Sequence, residues 1–325
     1  MRILLVVNSF ASSVTARNKV LIHQTLSQGN DVTIAETNRR GHATRFAQDA
    51  ATRGMDVVVS LGGDGTLNEV VNGVAGTNCA LGTLPGGSTN VFARTIGYPN
   101  DPVAAAHVLV DALRREAIRP VGLGQVNGRF FTFHTGIGFD AAVVGAVERR
   151  ANLKRWLGHP LFVWAGLRTW AVGYDRHNPH FRVETTGETG EHHHVEDGYF
   201  TIVLNTNPYT FLGNRPLDLA PSATLERGLV AITFRKLSLG ALLPPIAKAL
   251  RGGGLPAGRS LDHRTDLRDV VVSGERPFPY QVDGDHLGDT RSLRFRHVPD
   301  AVRLVLPSAA PSDRRPMESP PAPQG

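Results

Sequence analysis

The sequence predicts an α/β domain with a mostly parallel sheet, followed by a β-rich, sandwich-like domain. Three observations predict it. Short apolar runs alternate with helical periodicities through residues 1–120. Beyond about Pro120, strand-length runs separated by turn residues take over. Two glycine-rich turns follow the third and fourth apolar runs of the first part, where α/β folds place ligand loops.

The elements follow in order. Residues 3–7 read as a buried strand, 17–28 as a helix, 32–35 as a second strand and 43–52 as a helix. The run 56–61 is rich in β-branched residues and reads as a third strand. A helix is expected over 68–74, a strand over 80–84 and a long helix over 103–115. This alternation implies parallel strands covered on both faces. In the second part, strands are expected over 129–134, 181–185, 199–205, 229–234, 269–273 and 280–282, with helical interludes near 141–157 and 239–250. Late strands are expected over 293–296 and 302–306, one of them free to return to the first domain. The expected domains are therefore 1–120 and 121–306, and the Pro-, Ser- and Ala-rich segment 307–325 reads as a disordered tail.

Composition narrows the class. A length of 325 residues favours two domains. With 41% hydrophobic and 20% charged residues, a wholly disordered chain is excluded. The 35 glycines follow no three-residue period, which excludes a collagen-like chain. The net charge of +6 suits an anionic partner without choosing among nucleotide, nucleic acid and membrane surface. Cys79 is alone, so no intramolecular disulfide forms, which fits a reducing compartment. The apolar run at the start reaches Asn8 without a small-residue cleavage site, so no signal peptide is expected. No run of ~18 apolar residues is present, so no transmembrane helix is expected. The nearest approach, 153–174, mixes Trp156, Phe162, Trp164 and Trp170 with Lys154, Arg155 and Arg168. It reads either as a core helix of the second domain or as an interfacial segment.

The strongest local signal is Gly62-Gly63-Asp64-Gly65-Thr66-Leu67-Asn68-Glu69, between a buried strand and an amphipathic helix. Glycines let backbone N–H groups approach an anion, and the helix N-terminus adds positive potential. Asp64 there is suited to orienting Mg²⁺ through water, and Thr66 to meeting a phosphate or capping the helix. The bland alternative is a plain strand-to-helix turn. The next strand end carries Pro85-Gly86-Gly87-Ser88-Thr89-Asn90, and loops at neighbouring strand ends share one crevice. One of Ser88, Thr89 and Asn90 is expected to cap the following helix.

Three other segments have bland readings beside functional ones. Gly136-Ile137-Gly138-Phe139-Asp140-Ala141 imitates a dinucleotide fingerprint but lacks the surrounding βαβ unit, and Asp140 reads equally as a local cap. Asp283-Gly284 after an apolar strand is a common hairpin turn, with Asp285 beyond it. His192-His193-His194 reads as a solvated hairpin loop, a metal site being the minor alternative.

The glycine segments carry a family resemblance over about residues 1–306. GGDGTLNEVVNG resembles the nucleotide motif of the diacylglycerol kinase catalytic domain, shared by bacterial lipid kinases, sphingosine kinases and ceramide kinases. LPGGSTNVFAR is similar to a second segment of that family. Asn8 matches its first nucleotide loop, and Thr37 a threonine after its second strand. GGDGT alone is less specific, because NAD kinases and phosphofructokinases have similar turns.

The resemblance implies a Rossmann-like first domain in the two-domain architecture shared with NAD kinases. It implies ATP as co-substrate with Mg²⁺, and a lipid hydroxyl as acceptor, diacylglycerol by default. The expected nucleotide residues are Asn8, Thr37, Gly62, Gly63, Asp64, Gly65, Thr66, Asn68, Glu69, Gly86, Gly87, Ser88, Thr89 and Asn90. Asp64 and Asp285 are the expected catalytic pair, with Asp285 as general base where relatives carry Asp or Glu. The implied location is cytoplasmic with peripheral contact to anionic membrane. A homodimer stays open, and no nucleic-acid partner is expected. An NAD kinase and a non-catalytic nucleotide- or lipid-binding relative stand as alternatives.

Three departures from the family pattern stand out. Val91 and Gly122 occupy positions where relatives carry metal-network acids, and Arg227 replaces a carboxylate that ligates a structural Mg²⁺ in some members. A cation cannot ligate Mg²⁺, so that structural site is expected to be absent.

Overall fold

The structure is a computed structural model that describes residues 1–148, 174–175, 178–249 and 251–307. The expected tail beyond Pro307 and all of the 153–174 segment except Tyr174 lie outside the described residues.

The first domain is built on four parallel strands, β1 (Arg2–Val7), β2 (Asp31–Glu36), β3 (Val57–Gly62) and β4 (Ala80–Pro85), in the order β4-β3-β1-β2. Helices α1 (Ala16–Leu26), α2 (His42–Thr52), α3 (Asp64–Val74), α4 (Val91–Thr95) and α5 (Pro102–Arg114) alternate with them. The unbroken apolar run of β1 has a simple cause. Leu4 and Val6 pack under α2 and α3 with Val58, Leu67 and Val71, whereas Ile3, Leu5 and Val7 pack under α1 and α5 with Ile22 and Leu109. Both faces of residues 3–7 are buried, which accounts for the apolar run. Asp101 caps α5 by accepting from the Ala104 N–H at 2.7 Å, with Pro102 at the first helical position.

The second domain is β-rich. Its elements are β5 (Ile118–Val126), β6 (Arg129–Phe131), β7 (His134–Gly138), α6 (Phe139–Glu148), β8 (Phe181–Gly187), β9 (His192–Gly198), β10 (Phe200–Leu204), the small pair β11 (Thr210–Leu212) and β12 (Arg215–Leu217), β13 (Leu229–Phe234), α7 (Leu239–Ala249), β14 (Leu261–Val282) and β15 (Asp285–Val305). β15 pairs with β14 in its first half and with β5 in its second. Its end lies parallel to β4, Arg303 opposite Ala80. Sheet hydrogen bonding thus runs without a break from one domain into the other.

Four of the differences between the sequence expectations and the structure have a direct physical reason. The helix expected from residue 68 begins at Asp64, because Gly63 already serves as its N-cap. The strand expected over 129–134 is split into β6 and β7, because the N–H groups of Thr132, Phe133 and His134 turn to the Asp283 carboxylate. The short strands expected over 269–273 and 280–282 are parts of β14, and the two late strands are parts of β15, each bent by an irregularity in its pairing. His192, His193 and His194 are not a loop but pair along β8, opposite Thr186, Thr185 and Glu184. Polar residues there are tolerated because His192 and His194 are exposed.

Candidate active site

The two glycine turns meet backbone to backbone. Gly62 ends β3 opposite Pro85 of β4, and the Gly86 N–H donates to the Gly62 carbonyl at 2.7 Å. A Cβ on Gly86 would lie 2.8 Å from the Gly62 Cα, and one on Gly87 2.7 Å from the Gly63 Cα. Neither approach admits a side chain, so the walls of this cradle are main chain. α3 starts here with Gly63 as N-cap and no side chain to satisfy its first N–H groups. Such a helix end attracts an anion such as a phosphate.

Neighbouring side chains hold the cradle. Asn8 Nδ2 donates to Thr66 Oγ1 at 3.1 Å, while Asn8 Oδ1 accepts from the Phe10 N–H at 3.1 Å. The Ser13 N–H donates to the Gly86 carbonyl at 2.9 Å, tying the loop after β1 to the second turn. Thr37 follows β2, its N–H bonded to the Val7 carbonyl at 2.8 Å. Asn90, at φ +49°, accepts from the Gly87 N–H at 2.8 Å and donates to the Gly87 carbonyl at 2.9 Å, closing the second turn. Ser88 is left exposed at its tip and Thr89 half-buried.

Asp64 joins the two turns. Its carboxylate accepts from the N–H groups of Val91 at 3.0 Å and Phe92 at 3.2 Å, the first turn of α4. Burial pushes its carboxyl up to about 6, against the opposing pull of those N–H groups. Val91 itself is buried in the core beneath α2 and α3. An acid at that position would be a buried, unpaired charge, which accounts for the valine.

Two of the expected nucleotide residues turn elsewhere. Glu69 accepts from the N–H groups of Gly41 at 2.9 Å and Ala43 at 3.1 Å, capping α2 where Gly41 has no side chain to do so. Asn68 faces the second domain. Its Nδ2 donates to the Phe130 carbonyl and to Asp283 Oδ2, and its Oδ1 accepts from Arg129. Both side chains thus hold surrounding elements in place.

The acid at the tip of the β14–β15 hairpin comes to the cradle from the other domain. A Cβ on Gly65 would lie 3.6 Å from Asp285 Oδ2. Asp285 Oδ1 also lies 3.6 Å from the Arg40 guanidinium, and its side chain is 29% exposed. Asp283, two residues earlier, is buried and accepts five hydrogen bonds, from Asn68, the Thr132 N–H and hydroxyl, and the N–H groups of Phe133 and His134. Burial raises its carboxyl and those donors oppose the rise. Asp140 accepts from the Tyr209 hydroxyl and, at 2.9 Å, from Gln281. Sequence reasoning missed Arg40 and the depth of Asp283. An arginine pair in a loop and an Asp-Gly turn carry no local mark of either.

The other departures also have partners. A Cβ on Gly122 would lie 2.3 Å from His297 Nε2, so the histidine fills the space of the missing acid. Arg227 forms a two-pronged pair with Asp266.

A main-chain cradle in an α/β domain, faced by an acid from a β-rich domain, could seat a phosphate beside a proton acceptor, and comparison with known proteins shows the family. The family profile described as "Diacylglycerol kinase catalytic domain" matches residues 2–126. The chain is 40% identical to a Bacillus subtilis protein named "Diacylglycerol kinase", over 86% of this chain and 87% of the relative. It is 29% identical to a Pseudomonas aeruginosa protein named "Probable lipid kinase YegS-like", over 89% of each. A crystal structure described as a diacylglycerol kinase from Bacillus anthracis shares the fold, with TM-score 0.67 and 21% identity, over 94% of this chain and 96% of that one. The chain belongs to the diacylglycerol kinase family of lipid kinases.

Proposed function

We propose that this protein transfers the γ-phosphate of ATP to the hydroxyl of a membrane lipid, diacylglycerol, with Asp285 as general base. One observation carries the reading: Asp285, from the second domain, lies against Gly65 in the first turn of α3, where the helix N-terminus is open to a phosphate. Phosphates on the cradle of Gly62, Gly63, Gly86 and Gly87 would point the terminal one toward Asp285. An acceptor hydroxyl beside Asp285 gives up its proton to the carboxylate as its oxygen attacks phosphorus, and ADP leaves on the far side. Arg40, exposed and beside Asp285, would offset charge on the transferring group.

The donor set fits a Mg²⁺ that arrives with ATP. Each Asp64 oxygen gives one lone pair to a backbone N–H and keeps acceptor capacity for a water. Mg²⁺ keeps several waters and takes one or two carboxylates besides substrate phosphates. Asp64, through water, and the phosphates would hold it. There it would supply neutralisation of phosphate charge during transfer. Among the described residues no group of three His, Cys, Asp or Glu side chains is placed to hold a resident ion.

The name of the 40% identical relative supports diacylglycerol as the acceptor. The net charge of +6 supports peripheral contact with anionic membrane. Among the described residues no helix is long and apolar enough to cross a membrane. The test is incubation of purified protein with labelled ATP, Mg²⁺ and a panel of lipids in mixed micelles, with NAD as a further acceptor. Labelled phosphatidic acid is the expected product. Labelled NADP with no labelled lipid would make the protein an NAD kinase instead, and no product at all would favour the non-catalytic alternative.

A further inference from the structure

Gln281 is fully buried on β14, one residue before the end of the strand that leads into the Asp283–Gly284 turn. It stands opposite Gly136 of β7 on one side and His286 of β15 on the other. Its Nε2 donates to Asp140 Oδ2 at 2.9 Å, and its Oε1 accepts from the Gly284 N–H at 2.8 Å. The partners fix which end of the amide is which, since a carboxylate only accepts and a peptide N–H only donates. Asp140 is held in turn by the Tyr209 hydroxyl, and the Tyr209 ring lies against that of His134, with centroids 4.2 Å apart. A connected path therefore runs from Tyr209 through Asp140 and Gln281 to the peptide that presents Asp285.

The surroundings are shaped around this path. A Cβ on Gly136 would fall 1.6 Å from Asp140 Oδ2 and 2.7 Å from Gln281 Nε2, so only glycine lets the two side chains meet. Asp283 and Gly284 lie at φ +48° and +83°, as a two-residue turn of a tight hairpin requires. Val282 and Asp285 close the pairing, which leaves the Gly284 N–H outside the ladder. A buried amide costs desolvation, and an aliphatic side chain would fill a strand position at lower cost. Neither leucine nor an ionised glutamate can donate to a carboxylate while accepting from a peptide N–H.

We propose that Gln281 is a positioning residue for phosphoryl transfer: by bonding Asp140 and the Gly284 N–H at once, it sets the direction in which Asp285 projects into the cradle. The inference rests on the reading of Asp285 as the base. Asp283 anchors the turn on one side, through the 132–134 backbone, and Gln281 anchors it on the other. Loss of the second anchor lets the Gly284 peptide rotate, and a displacement of about 1 Å at a reacting group costs up to roughly 10²-fold in rate.

The test uses the full chain, with ATP and diacylglycerol in mixed micelles, for Gln281→Leu, Gln281→Glu, Asp285→Asn and the double variant Gln281→Leu/Asp285→Asn. Gln281→Leu is expected to lower kcat by roughly 10–100-fold with the KM for ATP changed less than about twofold. In the Asp285→Asn background the same change is expected to cost nothing further. Gln281→Glu keeps an acceptor for Gly284 but sets a carboxyl against Asp140. The groups around it are Asp140, Tyr209, Asp283 and His286. That variant is expected to be most active at low pH, where the two carboxyls share a proton, and to lose activity as pH rises. The wild type, with a neutral amide at position 281, is expected to show no such limb. A role in packing alone would lower Tm and leave the pH profile unchanged. Wild-type kcat in Gln281→Leu, or a wild-type pH profile in Gln281→Glu, would overturn the proposal while leaving an inactive Asp285→Asn, and hence the base reading, intact. Wild-type kcat in Asp285→Asn would overturn both.

Discussion

Asn68 and Asp283, 215 residues apart in sequence, share a buried hydrogen bond of 2.8 Å between α3 of the first domain and the β14–β15 turn of the second. The same Asp283 carboxylate holds the backbone of Thr132, Phe133 and His134. The turn that carries Asp285 is thereby referenced to the helix whose N-terminus forms the cradle. Asp283→Ala leaves these buried donors unpaired, and a loss of about 3–5 kcal/mol is expected. Asn68→Ala is expected to cost about 1–3 kcal/mol, with a coupling of about 0.5–3 kcal/mol in the double-mutant cycle. Urea denaturation of the four proteins measures this. Additive single effects would show that the bond does not couple the domains.

The glycine turns give a second prediction. A Cβ on Gly87 would press on the Gly63 Cα at 2.7 Å, a backbone contact with nowhere to move cheaply. Gly87→Ala is expected to part the turns, to cost about 1–3 kcal/mol and to raise the KM for ATP several-fold. Gly65→Ala, whose Cβ would meet Asp285 at an ordinary 3.6 Å, is expected to cost less stability. Thermal melts and ATP titrations compare the two. Equal stability of both variants would contradict the close approach.

A third prediction concerns acid stability. His134 is buried, and burial pushes its imidazole down to about 3, from 6.5 for a free side chain. Between those values the unfolded chain binds a proton that the folded protein refuses, so stability rises with pH across the window. The contribution is fully present above 6.5 and is lost as pH falls toward 3. His134 Nδ1 has no hydrogen-bond partner, so His134→Phe forfeits no bond at that atom and can keep the stack on Tyr209. On moving from pH 7 to pH 4.5 the wild type is expected to lose about 2–3 kcal/mol more than the variant. Denaturant melts at the two pH values test this, and identical losses would contradict it.

Gly122 gives a fourth. Restoring an acid with Gly122→Asp would place its Cβ 2.3 Å from His297 Nε2. The single variant is expected to lose about 1–3 kcal/mol, and His297→Ala in the same chain to recover most of it. Gly122→Asp as stable as the wild type would mean that His297 does not fill the space of the acid.

What the sequence makes legible follows the range of the forces involved. Ile3–Val7 announces a strand buried on both faces because every residue in it is apolar. Gly62, Gly63, Gly86 and Gly87 announce close backbone approach because no other residue permits it. Residues whose role is set by distant partners carry no such mark. Asn68 and Glu69 sit inside the nucleotide motif, yet they serve the second domain and α2. Asp283 reads as an ordinary turn residue because its five donors lie far away in the chain. The three histidines of β9 read as a loop because their pairing with β8 depends on register and not on composition.

Asp285→Asn, nearly isosteric but far less basic, isolates the proposed transfer of the lipid hydroxyl proton to Asp285. With saturating ATP and diacylglycerol and chemistry rate-limiting, kcat is expected to fall by about 10²–10⁴-fold. The KM for ATP should change little, because the walls that would hold the phosphates are main chain and Asp285 would supply only the proton acceptor. Asp285→Glu is expected to keep partial activity. Phosphorylation of lipid by Asp285→Asn at the wild-type rate would contradict the account.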